Sequence, residues 1–299
     1  MPFVVAGEAL VDIVVPRTGR TEHAPGGSPL NVAVGLARLG IETLLVTRLG
    51  ADEHGRLVHE HVEASGVRLA EASVDPTGRT STATAHLDEH GVATYDFDLT
   101  WELPPLPLPA DATALHVGSI GAALRPGREA VVRLVEEAAA KGLLVSYDPN
   151  MRPVFTPDRE QAWADVREVS AASRLVKMSD EDLHFLIPGG TAEDAARALL
   201  GGRTEVVVVT HGGSGAVAFS GGTRVEVPSR RSAVVDTVGA GDSFMAALLA
   251  VVAEQGLATA EELLRRQIGA AHEAAAVTVS RRGADPPRRD ELPEEWARR

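Results

Sequence analysis

The chain has 299 residues, 44% of them hydrophobic, enough to bury the core of one large α/β domain or two small ones. Its 29 basic and 42 acidic residues give a formal net charge of -13, which repels a polyanionic nucleic acid on average but still permits a small anion in a local nest of amides. There is no cysteine, so disulfide scaffolds, thiolate metal sites and cysteine nucleophiles are excluded, and no apolar run approaches the roughly 20 residues that span a bilayer. With no basic stretch ahead of the first apolar run, a soluble, cytoplasmic protein is expected.

Phe3 to Val15 reads as one or two strands, and Pro29 to Leu39 as a helix with Ser28 as its N-cap and Gly40 as its stop. Leu44 to Leu49 is strand-like, and Glu53 to Ala64 is helical, closed by Ser65-Gly66. The rhythm breaks over residues 80–98, where two alternating segments flank the turn composition Asp88-Glu89-His90-Gly91. Together with the polar stretch Pro16 to Pro25, this hairpin predicts a small β flap, a lid over about 14–25 and 80–98. The proline-rich segment Pro104 to Pro109 is an ordered connector before the strand Leu115 to Ser119.

Regular alternation follows: helix 127–140, strand 143–148, helix 159–170, strand 174–177, and helices 180–187 and 192–200. The apolar strand Glu205 to Thr210 leads into a hairpin at 215–227, and helices at 241–255 and 260–278 close the chain. Strands alternating with helices point to a mostly parallel sheet covered on both faces, with no internal repeat or interdomain linker.

The segment Val234-Val235-Asp236-Thr237-Val238-Gly239-Ala240-Gly241-Asp242-Ser243-Phe244 turns on small residues into a strongly helical run. The first amides of such a helix have no internal partner, so the turn is an anion site. Asp242, in the first turn, sits where it can take a proton from an incoming hydroxyl. Taken alone, the same string reads equally well as a capped helix entered through flexible glycines.

A second segment, Gly26-Gly27-Ser28-Pro29-Leu30-Asn31 running on to Arg38-Leu39-Gly40, removes that ambiguity. Together the two strings closely resemble the signatures of the ribokinase-like sugar kinases, the phosphofructokinase B family, over nearly the whole chain. There is neither a Gly-x-x-x-x-Gly-Lys-Ser/Thr P-loop nor a Gly-x-Gly-x-x-Gly fingerprint after a strand. The resemblance implies one kinase domain over 1–299, an α/β three-layer sandwich with a mostly parallel central sheet and a small β lid.

It further implies ATP-dependent transfer to a sugar hydroxyl, with Asp242 as base and the amides of Gly239, Ala240, Gly241 and Asp242 as the anion hole. Asp12, Gly26, Gly27 and Asn31 correspond to the sugar end, and Asp148-Pro149-Asn150-Met151-Arg152 resembles the fructokinase-like element whose arginine, here Arg152, reaches the substrate or its phosphate. Ser179, Thr210, Gly212, Gly215, Gly239, Gly241 and Ala275 correspond to nucleotide-binding positions. Asp182, in Ser179-x-x-Asp182, stands where the family often has Asn-x-x-Glu and helps order magnesium. Backbone carbonyls around Asp236, Val238 and Gly283 correspond to a site for a monovalent cation such as potassium. Ser28-Pro29-Leu30 and the flap sequence resemble fructokinases more than ribokinases, so fructose is the expected substrate. A 2-keto-3-deoxygluconate kinase, a nucleoside kinase of the same fold and a non-catalytic sugar sensor are the alternatives. The expected partners are the sugar and ATP, neither nucleic acid nor membrane, and a second copy paired through the lid.

Overall fold

Residues 1–87, 93–103 and 106–296 are described by a computed structural model of the chain. The turn Asp88-Glu89-His90-Gly91 and the connector residues Pro104 and Pro105 lie outside the described residues. In the first half the elements are β1 (Phe3–Ala6), β2 (Leu10–Val15), β3 (Glu22–Gly26), α1 (Ser28–Arg38), β4 (Thr43–Val46), β5 (Leu49–Gly50), α2 (Glu53–Ala64), β6 (Arg68–Leu69), β7 (Val74–Asp75), β8 (Thr82–Leu87), β9 (Ala93–Asp98) and β10 (Ala114–Gly118). There follow α3 (Gly127–Ala140), β11 (Leu144–Asp148), α4 (Arg159–Ala172), β12 (Leu175–Ser179), α5 (Asp180–Leu186), α6 (Ala192–Leu199), β13 (Val206–Thr210), β14 (Ala216–Ser220), β15 (Thr223–Val227), α7 (Ala240–Gln255) and α8 (Glu261–Thr278).

Nine strands form one sheet in the order β15-β14-β13-β12-β11-β10-β1-β4-β6, parallel throughout except for the antiparallel pairs β13/β14 and β14/β15. Parallel strands covered on both faces alternate their side chains between two cores. Val5, Leu45, Val206 and Val208 pack with α1, α2, α7 and α8, while Val4, Val207 and Val209 pack with α3, α4, α5 and α6. The result is the expected three-layer sandwich, held by two cores in which each fully buried aliphatic side chain contributes about 1.5–3 kcal/mol.

The segment Phe3 to Val15 forms two strands in different sheets. β1 lies inside the large sheet, and β2 leaves it to join a four-stranded sheet of order β3-β2-β8-β9. This small sheet occupies the place of the expected flap, but it begins at Leu10 rather than near residue 14, and part of the polar stretch before Gly26 is the strand β3. Chain order reverses about β1, which has β4 on one side and β10 on the other, and ligands of open α/β sheets bind beyond the strand ends at such a reversal.

One close contact joins the two helices that flank that point. At Gly35 of α1 a methyl group would come within 2.6 Å of the Ala246 Cβ on α7, so only a residue without a side chain allows the helices to approach this closely. Gly35→Leu raises helix propensity by up to about 1 kcal/mol yet overpacks this contact, at a cost of about 1–3 kcal/mol. The expected outcome in urea unfolding is a lower midpoint, and a raised midpoint would show that the two helices have room to spare.

Candidate active site

The carboxyl ends of β1, β10, β11, β12 and β13 open toward the entrance of α7. Gly239 is the N-cap of α7 at φ 74°, a left-handed conformation that glycine adopts without strain, and a methyl there would strike Ala284 at 2.5 Å. No side chain caps the helix. The Ala240 amide donates to Thr237 O at 3.2 Å and the Ser243 amide to Gly239 O at 2.8 Å. The amides of Gly241 and Asp242 have no acceptor among the described residues, so two donors at the positive end of a sixteen-residue helix remain for an anion.

Asp242 is buried beside them and does not cap its own helix. Ser28 Oγ donates to Asp242 Oδ1 at 2.6 Å, and Asn31 Nδ2 donates to Oδ2 at 2.8 Å. The expected N-cap, Ser28, is therefore the first residue of α1, with Gly27 at φ 109° as the cap. The substitution of roles has a steric cause: a methyl on Gly27 would meet Glu8 O at 2.7 Å, so the chain enters the helix through the glycine and frees Ser28 for Asp242. Serine and asparagine three residues apart share one helix face, which is why both reach a single carboxylate.

Asp12 of β2 lies against Gly26, where a methyl would sit 2.1 Å from Asp12 Oδ2. Its surroundings and the Arg152 charge act on it in opposite senses: desolvation pushes its pKa up and the guanidinium pulls it back. Arg152 Nη1 donates to Asn150 Oδ1 at 2.7 Å and to Met151 O at 3.0 Å, so the arginine is folded onto its own turn after β11. Asn150 takes φ 35° to make that turn. Gly26, Gly27, Asn31, Asp12 and Arg152 thus gather with Asp242 around the reversal point.

Sequence reasoning passed over three groups here. Glu8, two residues after β1, accepts the Gly121 amide at 2.7 Å and ties the end of β1 to the segment after β10. Burial pushes its pKa up to about 7, against the hydrogen bonds of Gly121 and Ser119 and the charge of Arg152. Asp148, the last residue of β11, is paired with Lys177 of β12 at 2.8 Å, both fully enclosed. A lone lysine in the apolar strand Leu175-Val176-Lys177-Met178 was the available signal, because a strand covered on both faces holds a charge only when it is paired.

On the other side of α7, Ser179 caps α5 and forms a capping box with Asp182. Asp182 Oδ1 accepts the Met151 amide at 2.6 Å and Oδ2 the Ser179 amide at 2.8 Å, so this carboxylate fastens the turn after β11 to the start of α5. Ser179 pairs in register with Thr210 at the end of β13, whose hydroxyl donates to Met178 O at 3.4 Å. Gly212 and Gly215 follow at φ 48° and 120°, and at Gly215 a methyl would meet Val227 O at 2.2 Å. Ala275 is half-buried on α8, which packs on α7 and β15. Asp236 accepts the Val238 amide at 3.0 Å and the Gly283 amide at 2.8 Å, bringing those three residues together beside the turn at Gly239. Among the described residues no group of three or more His, Cys, Asp or Glu could hold a metal ion by itself.

A three-layer sandwich with a helix-entrance anion site and a carboxylate clamped beside it defines a ribokinase-fold phosphotransferase. The model of the pfkB family carbohydrate kinases matches residues 3–291, and the chain belongs to that family. It is 36% identical to a fructokinase of Rhizobium leguminosarum bv. trifolii over 299 residues, covering 96% of this chain and 87% of the relative. Among solved structures it resembles a fructokinase from Vibrio cholerae O395 in its fructose, ADP and calcium ion bound form, with TM-score 0.84, 28% identity and coverage of 95% and 94%. It also resembles a fructokinase with bound ATP from Xylella fastidiosa, with TM-score 0.83, 26% identity and coverage of 95% and 93%.

The pKa of Glu8 carries a consequence for stability. Folded, Glu8 holds its proton more tightly than an exposed glutamate, whose pKa is 4.5, so its burial weakens the fold progressively as pH rises from 4.5 through about 7. Above that window the penalty levels off at about 3 kcal/mol. Glu8→Gln keeps an acceptor for Gly121 without the charge. The difference in unfolding free energy between variant and wild type should therefore grow in the variant's favour across this range, and a pH-independent difference would show that Glu8 does not titrate there.

Proposed function

We propose that the protein is a fructokinase, transferring the terminal phosphoryl group of ATP to a hydroxyl of fructose with Asp242 as the general base. The observation that carries the reading is the pairing of two unpartnered amides, Gly241 and Asp242, with a carboxylate oriented by Ser28 and Asn31. The sugar hydroxyl gives its proton to the Asp242 carboxylate as its oxygen bonds to the γ-phosphorus. The bond from that phosphorus to the β–γ bridging oxygen breaks, and ADP leaves with the electron pair. Charge on the phosphoryl oxygens during transfer faces the Gly241 and Asp242 amides and the positive end of α7.

Asp12, Asn31 and Arg152 bind the sugar in this reading, with Gly26 and Gly27 letting the backbone approach it. Ser179, Thr210, Gly212, Gly215 and Ala275 line the nucleotide. A bound magnesium ion would neutralise charge on the phosphates, and Asp182, each of whose oxygens accepts one backbone amide, would help order it through water. Asp236, Val238 and Gly283 suit a monovalent cation such as potassium. The whole of 1–299 acts as one kinase unit, and the small sheet serves as a lid that excludes water from the transferring phosphate. Its β9 edge, with Tyr95 and Phe97 exposed, is the surface on which two copies pair. A cytoplasmic enzyme fits the absence of cysteine, and among the described residues no helix is long and apolar enough to cross a membrane.

ADP release should be measured with ATP and a panel of fructose, ribose, 2-keto-3-deoxygluconate and a nucleoside. Fructose should give the highest kcat/KM; a preference for the sugar acid would overturn the assignment of substrate, and sugar-independent ADP release would overturn the kinase. Asp242→Asn should lower kcat by about 10² to 10⁴ while fructose affinity by calorimetry stays within about threefold. Near-native turnover in that variant would remove Asp242 from the role of base.

A further inference from the structure

We propose that Lys177 is a positioning residue for phosphoryl transfer: a resident cation beneath the helix entrance that holds the charge balance among Asp148, Asp182 and Asp242. The inference rests on the reading of Asp242 as the base. Lys177 sits near the carboxyl end of β12, with its side chain only 4% exposed. Its Nζ donates to Asp148 Oδ2 at 2.8 Å, and a methyl on Gly241 would lie 3.2 Å from that same Nζ. The ammonium therefore lies against the first turn of α7.

Its neighbours come from four elements. Asp148 ends β11, Asp182 opens α5, Asp242 opens α7, and His116 lies inside β10. Burial opposes the charge on Lys177, but the carboxylates of Asp148, Asp182 and Asp242 outweigh it and push its pKa up. His116, by contrast, is held neutral: burial first, then the Lys177 charge, pushes its pKa down to about 3. Three acids thus share one fixed cation in an enclosed space.

A plain structural ion pair accounts for only part of this arrangement. In such a pair both carboxylate oxygens are expected to be satisfied, yet Asp148 Oδ1 is buried without a hydrogen-bond partner among the described residues. The ammonium also touches the one turn of the protein that meets the transferring phosphate. ATP brings further negative charge to a cleft that already holds Asp242. A cation locked in place by Asp148 offsets that charge without having to reorganise during the reaction.

The test compares Lys177→Met, Lys177→Arg and the double variant Asp148→Asn/Lys177→Met, each assayed with ATP and fructose after thermal melting. Lys177→Met leaves Asp148 as an unpaired buried acid, and the double variant relieves that defect, so the double variant should recover melting temperature. If the inference holds, its kcat remains lowered by roughly 10- to 100-fold with KM for fructose changed less than about threefold. Lys177→Arg should retain kcat within about fivefold. Recovery of both stability and kcat in the double variant would overturn the role of Lys177, as would loss of turnover in a well-folded Lys177→Arg equal to that of Lys177→Met. Asp242→Asn in the same assay separates the two ideas: if it turns over normally, the base assignment fails first, and if it is inactive beside a fully active double variant, only the lysine is at fault.

Discussion

Everything at the active centre depends on a carboxylate being reached from across the chain. Asp242 accepts hydrogen bonds from Ser28 and Asn31, residues 214 and 211 positions away, so α1 and α7 must meet at one place and in one rotation. Gly35 and Ala246 make that meeting sterically possible. Only Gly27 separates the clamp from the small sheet, because β3 ends at Gly26 and α1 begins at Ser28. The small sheet and the turn at the entrance of α7 are therefore joined through one residue and two hydrogen bonds. Loss of either donor would leave Asp242 less well aimed, and loss of the glycine would displace the helix that carries both.

Charge is arranged locally, against the sign of the whole molecule. A protein of net charge -13 repels anions at a distance, yet at the helix entrance the nearest groups are amide donors, a peptide dipole and a buried ammonium. The acids that converge there are each tied to a partner: Asp242 to α1, Asp182 to two amides, Asp148 to Lys177, and Glu8 to Gly121. An exposed cluster of the same acids would compete for magnesium. Fixed in this way, they leave the two unpartnered amides of Gly241 and Asp242 as the free donors of the α7 entrance among the described residues.

Most of the layer pattern could be read from periodicity, since it follows from local spacing: β4, α2, α3, β11, α4 and the final two helices fall close to where the alternation predicts them. The turn at Gly239 to Asp242 was legible because small residues before an apolar helix leave few alternatives. Other features depend on long-range register and were not. Within Phe3 to Val15 the pair Gly7-Glu8 interrupts the apolar run, but nothing in it says that the second strand joins a different sheet; the break at Gly7 to Ala9 accompanies the packing of Pro29 against Gly7, where a methyl would come within 2.3 Å. Ser28 looks like a cap because serine before a helix usually is one. Its partner lies more than two hundred residues away. Lys177 stands out in its strand, but only the register Tyr147↔Val176 shows that Asp148 is beside it.

The rigid and the exposed halves of the site answer different physical demands. From Asp242 to Val252 every residue of α7 is buried, so the helix presents its terminal amides from a frame that has no room to rotate. An anion hole works by being already oriented when charge develops, which favours such enclosure. The small sheet has the opposite character: residues 94–98 of β9 are solvent-exposed, and Phe97 meets the main body at Phe155, with ring centroids 4.8 Å apart. Enclosure is thus greatest along the helix that presents the unpartnered amides and least at the outer strand of the small sheet.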